Sequence, residues 1–202
     1  MNATATTPSV PTVQGRLARM VSDVAVITRR NLLFTVRLPQ VLVLSSIMPV
    51  IFIVMFTYVF GGAIQGALPP AAAGRYVNWL IPGLLAQFAL FGGSGTASGL
   101  AEDLAKGAID RFRSLPMAGA AVLAGRTLSD LVRLALTLTL MLAVGYGIGF
   151  RPQTGLGGLL GALAVGLGFG YAWSWVMALV GLVVRSPEAV QAATYLGVFP
   201  LA

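Results

Sequence analysis

The chain has 202 residues, of which 57% are hydrophobic and only 9% charged, and it carries a net charge of +7. A soluble domain has about 25% charged residues, so this composition belongs in a bilayer. Without cysteine there is no disulfide framework or thiolate metal site, and without histidine the commonest general base and metal ligand are both missing.

Residues 1–12 (MNATATTPSVPT) are polar, contain two prolines and read as a disordered tail. Residues 13–38 form a separate element. Arg16, Arg19, Asp23, Arg30 and Arg37 fall at spacings of three, four, seven and seven, one face of a helix. Leu17, Met20, Val21, Val24 and Ile27 fill another face. Such a helix lies in the headgroup plane, or else packs on a partner as a soluble amphipathic helix. Pro39 ends or kinks it. The segment is not a cleaved leader, because Arg16, Arg19, Arg29, Arg30 and Arg37 precede an apolar run that is too long and lacks a small-residue cleavage site.

That run, Val41–Phe60, supplies twenty uncharged residues, enough to cross a hydrocarbon core as a helix. Tyr76–Leu100 is a second, glycine-rich stretch, Leu134–Phe150 a third and Gly155–Val184 a fourth. Each must be helical, since lipid offers no partner for open backbone groups. Ala189–Ala202 begins a fifth, whose fourteen residues reach about 21 Å of a core roughly 30 Å thick. The expectation is therefore a chain that stops inside a span, with a short re-entrant end as the alternative. Between these stretches, Gly61–Gly74 and Arg151–Thr154 read as an outside loop and turn, and Arg185–Glu188 as a short inside turn.

Orientation follows from the basic residues. With the N-terminus inside, the inside segments hold eleven lysines and arginines and the outside segments two, Arg75 and Arg151. The basic excess is thus a topology signal and calls for no nucleic acid. The expected fold is an all-α polytopic membrane protein, N-terminus in, with an amphipathic interfacial helix followed by four complete spans and part of a fifth.

A charged island separates the second and third stretches. Leu100, Leu104, Ala108 and Phe112 repeat every four residues, while Glu102–Lys106, Lys106–Asp110 and Asp110–Arg113 sit at pairing distance along a helix. This predicts a short amphipathic helix over about 101–116, closed by Pro116. Gly107 inside it costs about 1 kcal/mol against alanine, which suits a close approach of another backbone or a bend. The island is either a solvated loop helix or a docking element.

Other chemistry is thin. The single lysine, Lys106, is followed by glycine, so there is no Walker A phosphate loop. Gly92-Gly93-Ser94-Gly95 has the form of an intramembrane serine protease motif, but no histidine or span lysine exists to activate the serine. Gly95 and Gly99, Gly157 and Gly161, and Gly166 and Gly170 are small-xxx-small pairs that let helices approach. Gln87, Ser94 and Ser98 share a face of the second stretch, with Asn78 near its outer end; they join helices or line a path. Asp130, between Arg126 and Arg133, reads as part of an ion cluster rather than a proton site.

Asp103–Met117 (DLAKGAIDRFRSLPM) strongly resembles the cytoplasmic loop between the second and third spans of type-2 ABC exporter permeases, and matches the daunorubicin-resistance, drug-exporting branch best. YVFGG at Tyr58–Gly62, YVNWLIPGLL at Tyr76–Leu85, Gly125-Arg126, Gly149-Phe150 and RSPEAVQ at Arg185–Gln191 agree in order and spacing. The resemblance covers about residues 25–202. It implies a six-span permease in a bacterial cell membrane, paired with a second copy and with two ATP-hydrolysing subunits that hold ATP and magnesium. The permease itself would catalyse nothing and hold no cofactor or metal.

In such a family, residues 13–38 would be the connecting helix and residues 39–202 the transmembrane domain, incomplete at its C-terminal end. The island would be the coupling helix. Glu102, Asp103, Gly107, Arg111, Arg113 and Pro116 match its motif and, with Asp110, are the expected ATPase-coupling residues. Met48, Phe52, Met55, Gln87, Phe91 and Ser94 would suit a path for an amphipathic drug or antibiotic. The alternatives are a permease for lipid-linked glycan or polysaccharide, and a passive channel or scaffold without an ATPase.

Overall fold

A computed structural model describes residues 13–37, 39–67, 76–105, 119–152, 155–184 and 186–198. Among the described residues the chain forms eight α-helices and one π-helical turn. These are α1 (Val13–Arg37), α2 (Pro39–Val54), the π turn (Met55–Val59), α3 (Gly61–Ala67), α4 (Tyr76–Gly92), α5 (Ser94–Ala105), α6 (Gly119–Ile148), α7 (Gly155–Val184) and α8 (Pro187–Val198). The expected tail, Leu38 and most of the charged island lie outside the described residues.

Among the described residues, three helical stretches are long and apolar enough to cross a membrane: α4 continued by α5 (Tyr76–Ala105), Leu123–Ile148 and Gly155–Val184. The first expected span runs as α2 and continues into the π turn, with Ser46–Val59 as its apolar helical part. In the π turn the Phe60 amide reaches back five residues to the Met55 carbonyl at 3.1 Å. The Phe56 carbonyl accepts from the Tyr76 hydroxyl at 3.2 Å, which ties this turn to the start of α4. Gly61–Ala67, expected as loop from Gly61, Gly62, Gly66, Pro69 and Pro70, is helical.

One core cluster joins Ile53 of α2, Ile81 and Leu84 of α4, and Leu134, Leu138, Met141 and Leu142 of α6. A second joins Ala97 and Ala101 of α5, Met177 of α7 and Val190 of α8. The glycines decide how near these helices come. A Cβ on Gly181 would lie 2.5 Å from the Ala97 carbonyl oxygen and 2.9 Å from its Cα, so α5 and α7 touch backbone to backbone. Gly93, the break between α4 and α5, is pressed against Trp173 and Met177. Gly166 and Gly170 face Leu138 and Leu134, as small-xxx-small packing requires, whereas Gly157 and Gly161 have open space around them.

The end of α6 explains its Gly-Phe pair. Gly149 has φ +112°. Its amide bonds the Tyr146 carbonyl at 3.3 Å, and the Phe150 amide bonds the Gly145 carbonyl at 2.8 Å, the two bonds of a Schellman stop. Phe150 then turns into the core. Nothing lies within 4 Å of a Cβ placed on Gly149. Gly149→Ala therefore tests backbone conformation alone: a loss of about 1–2 kcal/mol is expected in thermal unfolding of the purified protein. An unchanged midpoint would remove the reason for glycine there. α8 starts as clearly. Ser186 caps it, its hydroxyl accepting from the Ala189 amide at 3.3 Å and donating to Glu188 at 2.9 Å, and Pro187 takes the first helical position. Backbone and Ser186 hydrogen bonds hold the exposed Glu188 carboxyl below its usual value.

Candidate functional site

Polar side chains concentrate where α1, α5 and α6 meet. On α5, Gly95, Gly99 and Asp103 recur every four residues and so share one face. On the antiparallel α6, Arg126, Asp130 and Arg133 face them. Arg126 Nη1 meets Asp103 Oδ2 at 2.5 Å, with side chains 25% and 34% exposed. Arg133 Nη2 meets Asp130 Oδ1 at 3.1 Å, and the Thr96 hydroxyl donates to Asp130 Oδ2 at 2.5 Å. The two glycines make this possible. A Cβ on Gly99 would overlap the Arg126 guanidinium, and one on Gly95 would overlap that of Arg133. The Gly95/Gly99 pair, expected to admit another helix, instead admits two arginine heads.

α1 locks onto the same stretch of α6. A Cβ on Gly125 would stand 2.8 Å from Ile27 Cβ and 3.2 Å from the Val24 carbonyl oxygen. The Thr28 hydroxyl lies 2.8 Å from the Val24 carbonyl and 3.2 Å from that of Gly125. Asn31 Nδ2 donates to Ser129 Oγ at 3.4 Å, and Ser129 donates to the Arg126 carbonyl at 2.7 Å. Ile27 and Thr28 are buried, while Val21 and Val26 point away from the bundle. The aliphatic face expected to enter lipid is therefore split, part of it covered by α6.

Of the expected coupling residues, Glu102 is exposed and Asp103 is half-buried in its ion pair. Both sit on the last turns of α5, so residues 101–105 continue the second span's helix instead of opening a new one. Gly107, Asp110, Arg111, Arg113 and Pro116 lie outside the described residues.

The expected path residues fall into two groups. Met48, Phe52 and Met55 lie on α2 and the π turn; Gln87, Phe91 and Ser94 lie on α4 and α5. Met48 is exposed, and Phe52 sets its ring edge-on to Phe88 at 5.9 Å. Phe91 stands 6.4 Å from the ring of Tyr195, and Ser94 turns its hydroxyl to the Phe91 carbonyl at 2.6 Å. A cavity of about 850 Å³ opens at the opposite end of the bundle, between α4, α6 and α7, and none of the six lines it.

Sequence reasoning missed Thr28, Asn31, Thr96 and Ser129. The signal was the pattern Gly-x3-Gly-x3-Asp on one helix against Arg-x3-Asp-x2-Arg on the next. Among the described residues no group of His, Cys, Asp or Glu could hold a metal. This site joins helices through ion pairs and hydrogen bonds.

The architecture is that of a polytopic helical protein embedded in a membrane, with the ion pairs of Asp103, Arg126, Asp130 and Arg133 at one end of the bundle. The ABC-2 type transporter family matches residues 22–202, and the chain belongs to that family. It is 34% identical over 163 residues to the daunorubicin resistance ABC transporter permease protein DrrB1 of Streptomyces coeruleorubidus, over 81% of this chain and 56% of that protein. The chain thus spans little more than half the length of this relative. No solved structure matches it.

Proposed function

We propose that this chain is the permease subunit of an ATP-driven exporter that removes an amphipathic or hydrophobic drug-like compound from a bacterial cell. The observation that carries this reading is the likeness to a permease named for daunorubicin resistance. That name favours a drug over a lipid-linked glycan. Membership of the ABC-2 type transporter family supports placing ATP and magnesium in a partner ATP-binding subunit. A second permease copy completes the transmembrane path. Met48, Phe52, Met55, Gln87, Phe91 and Ser94 remain the proposed lining.

In this reading the arginine-bearing end faces the cytoplasm, in keeping with the excess of basic residues there. The segment at about 101–116 docks on the ATPase, with Glu102, Asp103, Gly107, Asp110, Arg111, Arg113 and Pro116 as its coupling residues. Asp103 grips Arg126 of α6, and α6 grips α1 through Gly125, Thr28 and Asn31. A push on the end of α5 then moves three helices together, and α1 acts as the connecting helix. The chain makes and breaks no bonds.

The test is Asp103→Asn in the full-length permease, expressed with the ATPase subunit. Anthracycline efflux and substrate-stimulated ATP hydrolysis are expected to fall together by about 5-fold or more, the range of a coupling free energy of 1–3 kcal/mol, with the membrane level unchanged. Wild-type values of both would sink the coupling role. Failure of the full-length wild type to co-purify with any ATP-binding subunit would sink the exporter reading.

A further inference from the structure

The cavity between α4, α6 and α7 belongs to neither the ion-pair site nor the proposed path. Its volume of about 850 Å³ is that of a ligand site rather than a packing fault. Its walls are apolar, with Trp79, Leu142, Leu159 and Val165 among them, and Arg151 is the one charged residue in the lining. Arg151 stands three residues beyond the end of α6, at the level where a span leaves hydrocarbon. Its Nη1 is engaged by the Tyr146 and Phe150 carbonyls at 3.0 and 2.9 Å, and its carbon Cζ lies 5.9 Å from the Tyr146 ring centre. Those contacts hold the head in place. Among the described residues, Nη2 and Nε have no hydrogen-bond partner. Asn78 stands beside it: its Oδ1 accepts from the Arg151 amide at 2.9 Å, which leaves its amide N–H groups for a ligand. Trp79 and Val165 are 70% and 73% exposed, so the cavity is open on its flank between α4 and α7.

The geometry points to a binding site for one anionic phospholipid. An acyl chain fills the apolar slot from the side, and the phosphate rests on Arg151 and Asn78 at the membrane boundary. Charge complementarity selects the occupant: a fixed guanidinium whose Nη2 and Nε have no partner among the described residues favours a headgroup with net negative charge over a zwitterion, whose ammonium offsets the phosphate. Trp79 at the rim is the side chain expected at headgroup depth. This site stands apart from the proposed transport function and holds or fails without it.

The experiment uses the full-length permease in lipid nanodiscs doped with acyl-brominated phosphatidylglycerol or phosphatidylcholine. The share of tryptophan quenching that Trp79→Phe removes reports occupancy of the cavity. Brominated phosphatidylglycerol is expected to quench with about tenfold higher apparent affinity, equivalent to about 1.4 kcal/mol. Arg151→Gln should abolish that preference and Arg151→Lys should keep most of it. Gly161→Leu is the second variant: Gly161 lines the cavity and a Cβ there meets nothing within 4 Å, so a longer side chain projects into the slot. It should abolish the Trp79 share for both lipids. Equal affinity for the two lipids, or a preference that survives either Arg151→Gln or Gly161→Leu, overturns the proposal. So does a disulfide between copies in Ala162→Cys, made in a full-length permease cleared of any other cysteine, since it would put a second copy in the cavity. Displacement of the brominated lipid by an anthracycline without ATP would assign the cavity to substrate and overturn it as well.

Discussion

Gly181→Ala is expected to lower the unfolding midpoint of the purified protein by several degrees, while Gly157→Ala in the same helix leaves it unchanged or raises it. The two changes add the same methyl group to α7. At Gly181 the new carbon meets Ala97 backbone atoms at 2.5, 2.9 and 3.1 Å, and a backbone cannot rotate aside. α5 and α7 must separate along their shared seam. Overpacking of this kind costs about 1–3 kcal/mol, and each kcal/mol moves the midpoint by about 2–4 °C at this chain length. At Gly157 the new carbon meets nothing within 4 Å, and alanine gains up to about 1 kcal/mol in helix propensity. Differential scanning fluorimetry on the two variants decides the matter. Equal midpoints would mean that α5 and α7 are not in backbone contact.

The second large effect is a reversal of sign. Gly99→Ala in the wild type should be destabilising by about 2 kcal/mol, because the added carbon takes the place of the Arg126 guanidinium and breaks a pair with charged partners on both sides. In an Arg126→Ala background the same Gly99→Ala change should be neutral or favourable by up to about 1 kcal/mol, the propensity gain alone. Residues this close are expected to couple by about 0.5–3 kcal/mol in a double-mutant cycle. Additive effects would show that glycine at 99 serves something other than the arginine. Transport should show no such reversal: it is expected to be lost in either single variant and in the double, since the Asp103 link is missing in all three.

Much of the fold was legible because lipid leaves few choices. Uncharged runs located the apolar part of the three long helices, and Val13–Arg37 showed its helical period through Arg16, Arg19, Asp23, Arg30 and Arg37. Boundaries suffered where charges sit inside helices. α6 begins at Gly119, well before Leu134, because Arg126, Asp130 and Arg133 interrupt the uncharged run without interrupting the helix. Their partners lie on another helix, and a linear reading does not supply them. Asp103 was assigned to a loop helix for the same reason: its charge marked it as outside a span, while its guanidinium partner keeps it on the end of α5. Gly95 and Gly99 announced a close approach but not what approaches. Gly149 and Ser186 lie at the other extreme. Each acts on neighbours within five residues, so the strings that contain them carry their own explanation.

The grip of α1 on α6 also sets a schedule. Thr28 meets the Gly125 carbonyl across 97 residues of chain. At roughly 5–20 residues per second of synthesis, α1 leaves the ribosome about 5–20 s before the surface it covers exists. During that interval Ile27 lacks the surface at Gly125 that covers it in the finished fold. An arginine-edged amphipathic segment can wait at the bilayer surface, where its apolar side is sheltered and its cations stay in water. The two-faced character of α1 thus serves assembly before it serves architecture. A polar side chain at Ile27 would be felt first as a nascent chain exposed to proteolysis, and only afterwards as a loosened joint in the finished protein.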